Sequence, residues 1–223
     1  MEDCKVNYDL TVRNAGGSIV QFLYGEDGMS SVKLEDQAVH YIDYDKMKFQ
    51  KTYLLTLEDL STIEGIIDIE LLKKLKKDKK WEVDCVNFYK KVLDDRNYFI
   101  EKIFKLKYET KTTYPVSLYR IIKNTKDLFH DMPTVSNLHP VDIINTLDKL
   151  ESDLSLHPFN NGTKIFGMLL RCYLSPKQCI LEHRLNKDSF EYIIQQINLK
   201  FNQAIANPSE MVGVIAAQSI GEP

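Results

Sequence analysis

From about residue 58 onward, apolar side chains recur every three or four positions, which is the spacing of helices that bury one face. Cys85, Phe88, Val92, Phe99, Ile103 and Leu106 share a face at 3.6 residues per turn and predict a long amphipathic helix. The Thr-rich stretch from Tyr108 to Pro115 interrupts it, and a second apolar face follows in Val116 to Phe129 on Leu118, Ile121, Ile122 and Leu128. Shorter helices are predicted at 140–151, 163–174 and 177–184. The most regular stripe is Phe190, Ile193, Ile194, Ile197, Phe201 and Ile205, with Asp188 and Glu191 spaced like a capping box at its start. Asn207-Pro208-Ser209-Glu210 then joins a cap residue, a proline suited to the first helical position and an acid, which predicts a last helix running to Gly221.

Only the N-terminal part departs from this pattern. Leu10-Thr11-Val12 and Ser18 to Tyr24 are β-favouring runs around Arg13-Asn14-Ala15-Gly16-Gly17, which has the chemistry of a hairpin turn. Two strands alone are marginal in water, so this element should pack on a helix. The expected fold is therefore mainly α, with a small β hairpin near the N-terminus. Three stretches are expected: 1–40 around the hairpin, a helical domain over 41–185, and the final helices over 186–223.

With 223 residues, 43% hydrophobic and 27% charged, the chain has the composition of a folded protein rather than a disordered, fibrous or membrane one. The formal charge of −3 provides no global positive field, so any nucleic-acid contact must be local. Four cysteines without a CxxC pair argue against a disulfide framework and for a reducing compartment. The acidic start MEDCKVNYDLTV lacks the features of a secretory signal, and the weakly polar run Met211 to Gly221 is too short to cross a bilayer, so neither secretion nor a membrane is expected.

Candidate chemistry is sparse. Lys73, Lys74, Lys76, Lys77, Lys79 and Lys80 crowd into eight residues and form a possible basic contact surface, although a solvated helix face explains them too. Asp43-Tyr44-Asp45 has the spacing of a DxD motif but lacks the further oxygen ligands that Mg²⁺ requires. Cys172, Cys179 and His183 could share a face, yet three ligands without a fourth do not make a structural zinc site, and buried thiols account for them better. The histidines at 40, 130, 139 and 157 fit no metal or triad spacing, and neither a P-loop nor GxSxG occurs. In the last segment, small residues at Gly213, Ala216, Ala217 and Gly221 leave one helix side nearly bare, so neighbouring backbones can approach closely.

The thirteen residues MVGVIAAQSIGEP, from Met211 to Pro223, resemble the segment leading into the trigger loop in the largest subunit of multisubunit DNA-directed RNA polymerases. Tyr8-Asp9, Thr11, Arg13-Asn14, Gln21-Phe22 and Tyr24-Gly25-Glu26-Asp27-Gly28-Met29 are similar to the family stretch after the bridge helix. Pro115-Val116, Arg120-Ile121-Ile122, Phe129-His130, Leu169-Leu170-Arg171, Glu182 and Arg184-Leu185 look like the helical foot of the eukaryotic and large-DNA-virus branch. The three stretches defined above then become a post-bridge-helix segment, a foot domain and the trigger-loop-entry helices.

The resemblance implies a part in template-directed RNA synthesis. Met211, Gly213, Ala216, Ala217, Gln218, Gly221, Glu222 and Pro223 would support the trigger-loop hinge. It also implies that no catalytic residue lies in this chain: the family's NADFDGD loop, which holds Mg²⁺, does not occur here, so no cofactor is expected to be bound by these residues. The implied partners are the rest of the largest subunit, the second-largest subunit and, through the complex, DNA template and RNA. The implied setting is the nucleus or a viral transcription compartment. Because both ends cut through elements continuous in the family, a split gene, an interrupted gene or a fragment is expected, with companion chains completing the enzyme. An adaptor module that kept the helical fold is the alternative.

Overall fold

In a computed structural model the described residues are 3–62, 67–77, 79–105, 110–130, 135–155 and 163–221. Three short strands open the chain: β1 (Lys5–Val6), β2 (Val12–Arg13) and β3 (Ile19–Gln21). They form an antiparallel sheet in that order, with Val6 opposite Val12 and Arg13 opposite Ile19. The β2–β3 turn is the expected one, since Asn14 caps it by accepting the Ser18 N–H at 2.9 Å and Gly17 takes a left-handed φ of 79°. Strand β1 was not expected. Its two residues carry no alternation that a sequence pattern could detect.

A second ribbon pairs β4 (Glu35–Ala38) with β5 (Lys111–Tyr114), antiparallel, with Gln37 opposite Thr112. The Thr-rich break between predicted helices is thus partly a strand. Its partner EDQA is polar and hides its role, because the inward side chain is Gln37, 4% exposed. Gln37 donates to the Tyr114 and Val116 carbonyls at 3.1 and 2.6 Å, satisfying backbone acceptors where the ribbon ends.

The helices are α1 (Lys46–Tyr53), α2 (Leu57–Thr62), α3 (Ile69–Lys77), α4 (Lys80–Tyr98), α5 (Leu118–Leu128), α6 (Pro140–Ser155), α7 (Thr163–Tyr173), α8 (Lys187–Ala204) and α9 (Val212–Gly221). The fold is mainly α, as expected. Helix α1 was missed by periodicity, and the predicted 177–184 helix is a π turn over Gln178–Glu182. The long stripe holds: Cys85, Phe88, Val92 and Phe99 are buried, with Ile103 half-buried, whereas Leu106 lies outside the described residues. Leu128 breaks the α5 expectation, being 64% exposed at the helix end, where no element covers it. Helix α8 buries Phe190, Ile193, Ile197 and Phe201, but its cap lies two residues earlier than expected. The Asn186 N–H donates to the Ser189 hydroxyl at 2.8 Å, so Asn186 and Ser189 replace Asp188 and Glu191 as the capping pair.

One large core joins these pieces, running from Met29 to Ala204. Tyr41, Phe49, Tyr53 and Phe99 form an aromatic cluster with ring centroids 4.9–6.3 Å apart. The Tyr53 hydroxyl donates to the Cys172 carbonyl at 3.1 Å, tying α1 to α7. Inside the helical layer, Arg171 of α7 reaches Asp95 of α4 at 2.5 Å and also pairs with Glu151 of α6, linking three helices through one guanidinium.

Candidate functional site

A satellite core brings the two ends of the chain together. It consists of buried Val6, Leu10, Val12 and Ala206, with Cys4, Leu23, Tyr24, Ile205 and Val212 packed around it. Backbone hydrogen bonds stitch it. The Val6 N–H donates to the Glu210 carbonyl at 3.0 Å, the Ser209 N–H to the Val6 carbonyl at 2.7 Å, and the Gly213 N–H to the Cys4 carbonyl at 3.0 Å. One step away, the Ala206 N–H donates to the Gly28 carbonyl at 2.9 Å and the Ser30 N–H to the Ala204 carbonyl at 2.8 Å.

These pairings explain why the last helix starts at Val212 rather than at Pro208. Ser209 sits at a φ of 68°, outside the helical region, and the backbone groups of Ser209 and Glu210 already belong to β1. The helical signal of Asn207-Pro208-Ser209-Glu210 is real but loses to tertiary pairing. Gly213, in the first turn of α9, is buried against the N-terminal strand.

Beyond that turn α9 is uncovered. Val214, Ile215 and Ile220 are 45%, 39% and 77% exposed, Ala216, Ala217, Gln218 and Gly221 are exposed as well, and Met211, just before the helix, is 47% exposed. Space surrounds Gly221 for at least 4 Å where a Cβ would be built. Glu222 and Pro223 lie outside the described residues. Of the described candidate hinge residues, the fold holds Gly213 in place, leaves Met211 exposed just before α9, and leaves Ala216, Ala217, Gln218 and Gly221 on its open side.

The Tyr8-Asp9 to Asn14 motif shapes the strand junction beneath α9. Asp9 accepts from the Thr11 hydroxyl at 2.6 Å and the Thr11 N–H at 3.1 Å, and Arg13 closes the loop with Nη2 2.7 Å from Asp9. The Thr11 hydrogen bonds, aided by Arg13, hold the Asp9 carboxyl below its ordinary value. The loop forces Leu10 into a left-handed φ of 58°, which turns its side chain into the satellite core. Close by, Tyr8, Val20 and Phe22 stand 88%, 62% and 82% exposed.

The other candidates lie elsewhere. All six lysines of the basic run are exposed: four on α3, Lys79 at the cap of α4 and Lys80 at its first residue. Asp43 and Asp45 are exposed around the start of α1. Cys172 and Cys179 are buried, and burial pushes the Cys172 thiol up to about 12 and Cys179 higher still, the reverse of what a metal-binding thiolate needs. Among the described residues no three His, Cys, Asp or Glu side chains converge to hold a metal.

His183 carries a testable consequence. Burial, reinforced by Lys126, pushes its imidazole down to about 4 from the usual 6.5. The folded state thus prefers the neutral ring, and the unfolded chain binds the extra proton between those values. Stability contributed by His183 is complete above pH 6.5 and disappears as the pH falls towards 4, by at most about 3 kcal/mol. Urea titrations across that range should show a shallower pH dependence for His183→Gln than for the parent chain. Equal slopes would contradict the assignment.

The two ends of the chain are thus packed on each other while most of α9 stays exposed. The profile of the family RNA polymerase Rpb1, domain 6, matches residues 29–204, and the chain belongs to that largest-subunit family. Two relatives from Trypanosoma brucei brucei, DNA-directed RNA polymerase II subunits RPB1-A and RPB1-B, are each 30% identical over the whole of this chain. The chain spans 14% of the length of each. No helix among the described residues is long and apolar enough to cross a membrane.

Proposed function

We infer that the chain works inside a DNA-directed RNA polymerase as the part of the largest subunit that mounts the trigger loop, with the helical domain as its foot. One observation carries this reading. Among the described residues, helix α9 is held at its first turn, by Gly213 and the β1 pairings, while its apolar remainder is exposed. An exposed apolar helix of that kind is stable only when other elements cover it. The remainder of the largest subunit and the second-largest subunit are the partners this reading assigns, with DNA and RNA reached through the assembly and Mg²⁺ held by other residues of the enzyme. The chain by itself would not polymerise nucleotides. The setting is the nucleus or a viral transcription compartment.

In mechanism, α9 is a rigid support rather than a reacting group. A loop that must fold over an incoming nucleotide needs a fixed point, because a shift of about 1 Å in positioning can cost roughly a hundredfold in rate. Gly213, buried and donating its N–H to the Cys4 carbonyl just before β1, would be that point. In a complete polymerase, Gly213→Leu should overpack this contact by about 1–3 kcal/mol and slow elongation severalfold. Unchanged elongation in a single-turnover extension assay would reject the role. Failure to co-purify with a second-largest subunit would favour the adaptor alternative instead.

A further inference from the structure

We propose that the corner between α3 and α4 is a docking surface for an acidic peptide segment that carries apolar side chains. Six lysines against Asp78 leave residues 73–80 five charges positive in a chain that is −3 overall, so the rest of the protein is net acidic and the positive charge is concentrated here. The corner is pinned from beneath. Buried Leu75 and Trp81 anchor the two helices, and the Trp81 indole N–H donates to the Leu75 carbonyl at 3.0 Å.

Helix stability alone does not account for the charge. Lysines in the last turn of α3 suit the negative end of its dipole, but Lys79 stands at the cap of α4, where the dipole is positive and an acid would be preferred. A cation there costs stability and adds to the positive field of the α3 lysines. A residue that breaks a local rule in this way is expected at a functional site.

The flanking side chains decide which anion fits. From Lys79 at the cap of α4, Val83, Val86 and Lys90 follow along a single face of the helix, and Val83 and Val86 are 61% and 39% exposed. On α3, Ile69, 69% exposed, lies one turn before Lys73 and two before Lys77. Exposed aliphatic residues add nothing to the grip on a phosphate backbone, and aromatic side chains that could stack bases do not stand on these two strips. They match a peptide alternating acidic and apolar residues, whose carboxylates meet the lysines while its aliphatic or aromatic side chains cover the valines.

Fluorescence anisotropy with the whole chain tests this, using a labelled synthetic peptide of alternating Glu and Leu or Phe, a polyglutamate of equal charge, and a single-stranded RNA of equal charge. The alternating peptide should bind at least about tenfold more tightly than either competitor. Val83→Ser with Val86→Ser should weaken it by about tenfold while leaving polyglutamate unchanged, and Lys73→Glu with Lys77→Glu should weaken both. Circular dichroism should show these surface variants folded like the parent. Absence of peptide binding, equal binding of polyglutamate, tighter binding of RNA, or indifference to the valine pair would each overturn the proposal. It does not depend on the role of α9.

Discussion

Replacing Arg171 with leucine should lower the unfolding free energy by about 3–5 kcal/mol, a large fraction of what a domain of this size has. The guanidinium donates from Nε to Asp95 at 2.5 Å and from Nη2 at 3.2 Å, and it also pairs with Glu151. Asp95 is 9% exposed, so without Arg171 a carboxylate remains in the core with its main partner gone. Desolvation works against the charged arginine, yet the hydrogen bonds and charge of Asp95 together with Glu151 outweigh it and raise the guanidinium above its ordinary value. The Glu151 carboxylate lies against Gly167, where a Cβ would overlap it. The double variant Asp95→Leu, Arg171→Leu should recover much of the loss, since an apolar pair of similar volume needs no counter-charge. Urea denaturation of the parent and the two variants checks both statements. A double variant no more stable than Arg171→Leu would show that the pair contributes something other than mutual neutralisation.

Phe166→Ala should cost a similar amount, about 3–5 kcal/mol, by opening a cavity where three elements meet. The ring is fully buried, lies nearly parallel to Tyr114 of β5 at 4.7 Å, and stands 5.8 Å from Phe201 of α8. It is thus the contact that seats the β4–β5 ribbon on the helical layer. For a chain of this length the melting temperature should fall by roughly 10 °C. Phe166→Leu, which keeps most of the volume, should lose clearly less. Equal losses for Ala and Leu would mean that the aromatic stack, not cavity filling, holds the ribbon.

Part of the ion-pair network was readable before any coordinates. Asp95 stands three residues after Val92 and four before Phe99, so it is an acid on a stripe destined for the core, and a buried acid demands a cation. Which cation could not be read, because Arg171 is 76 positions away and its α7 turn looks like any helix end. The Asp9, Thr11 and Arg13 loop was legible as a motif, since all its hydrogen bonds span four residues or fewer. Strand β1 and the tie between Cys4 and Gly213 were not, because their partners are about two hundred residues apart and the strand is too short to declare itself.

Helical class, most buried faces and the family of the chain follow from the sequence alone, because 3.6-residue periodicity and a thirteen-residue motif are local properties of the polypeptide. The start of α9, the cap of α8, the strand hidden in EDQA and the exposure of Leu128 were decided by the tertiary structure. The start of α9 and the strand in EDQA depend on which backbone groups a distant segment occupies: at α9, a hydrogen bond already made to β1 excludes the helical one that the local residues favour.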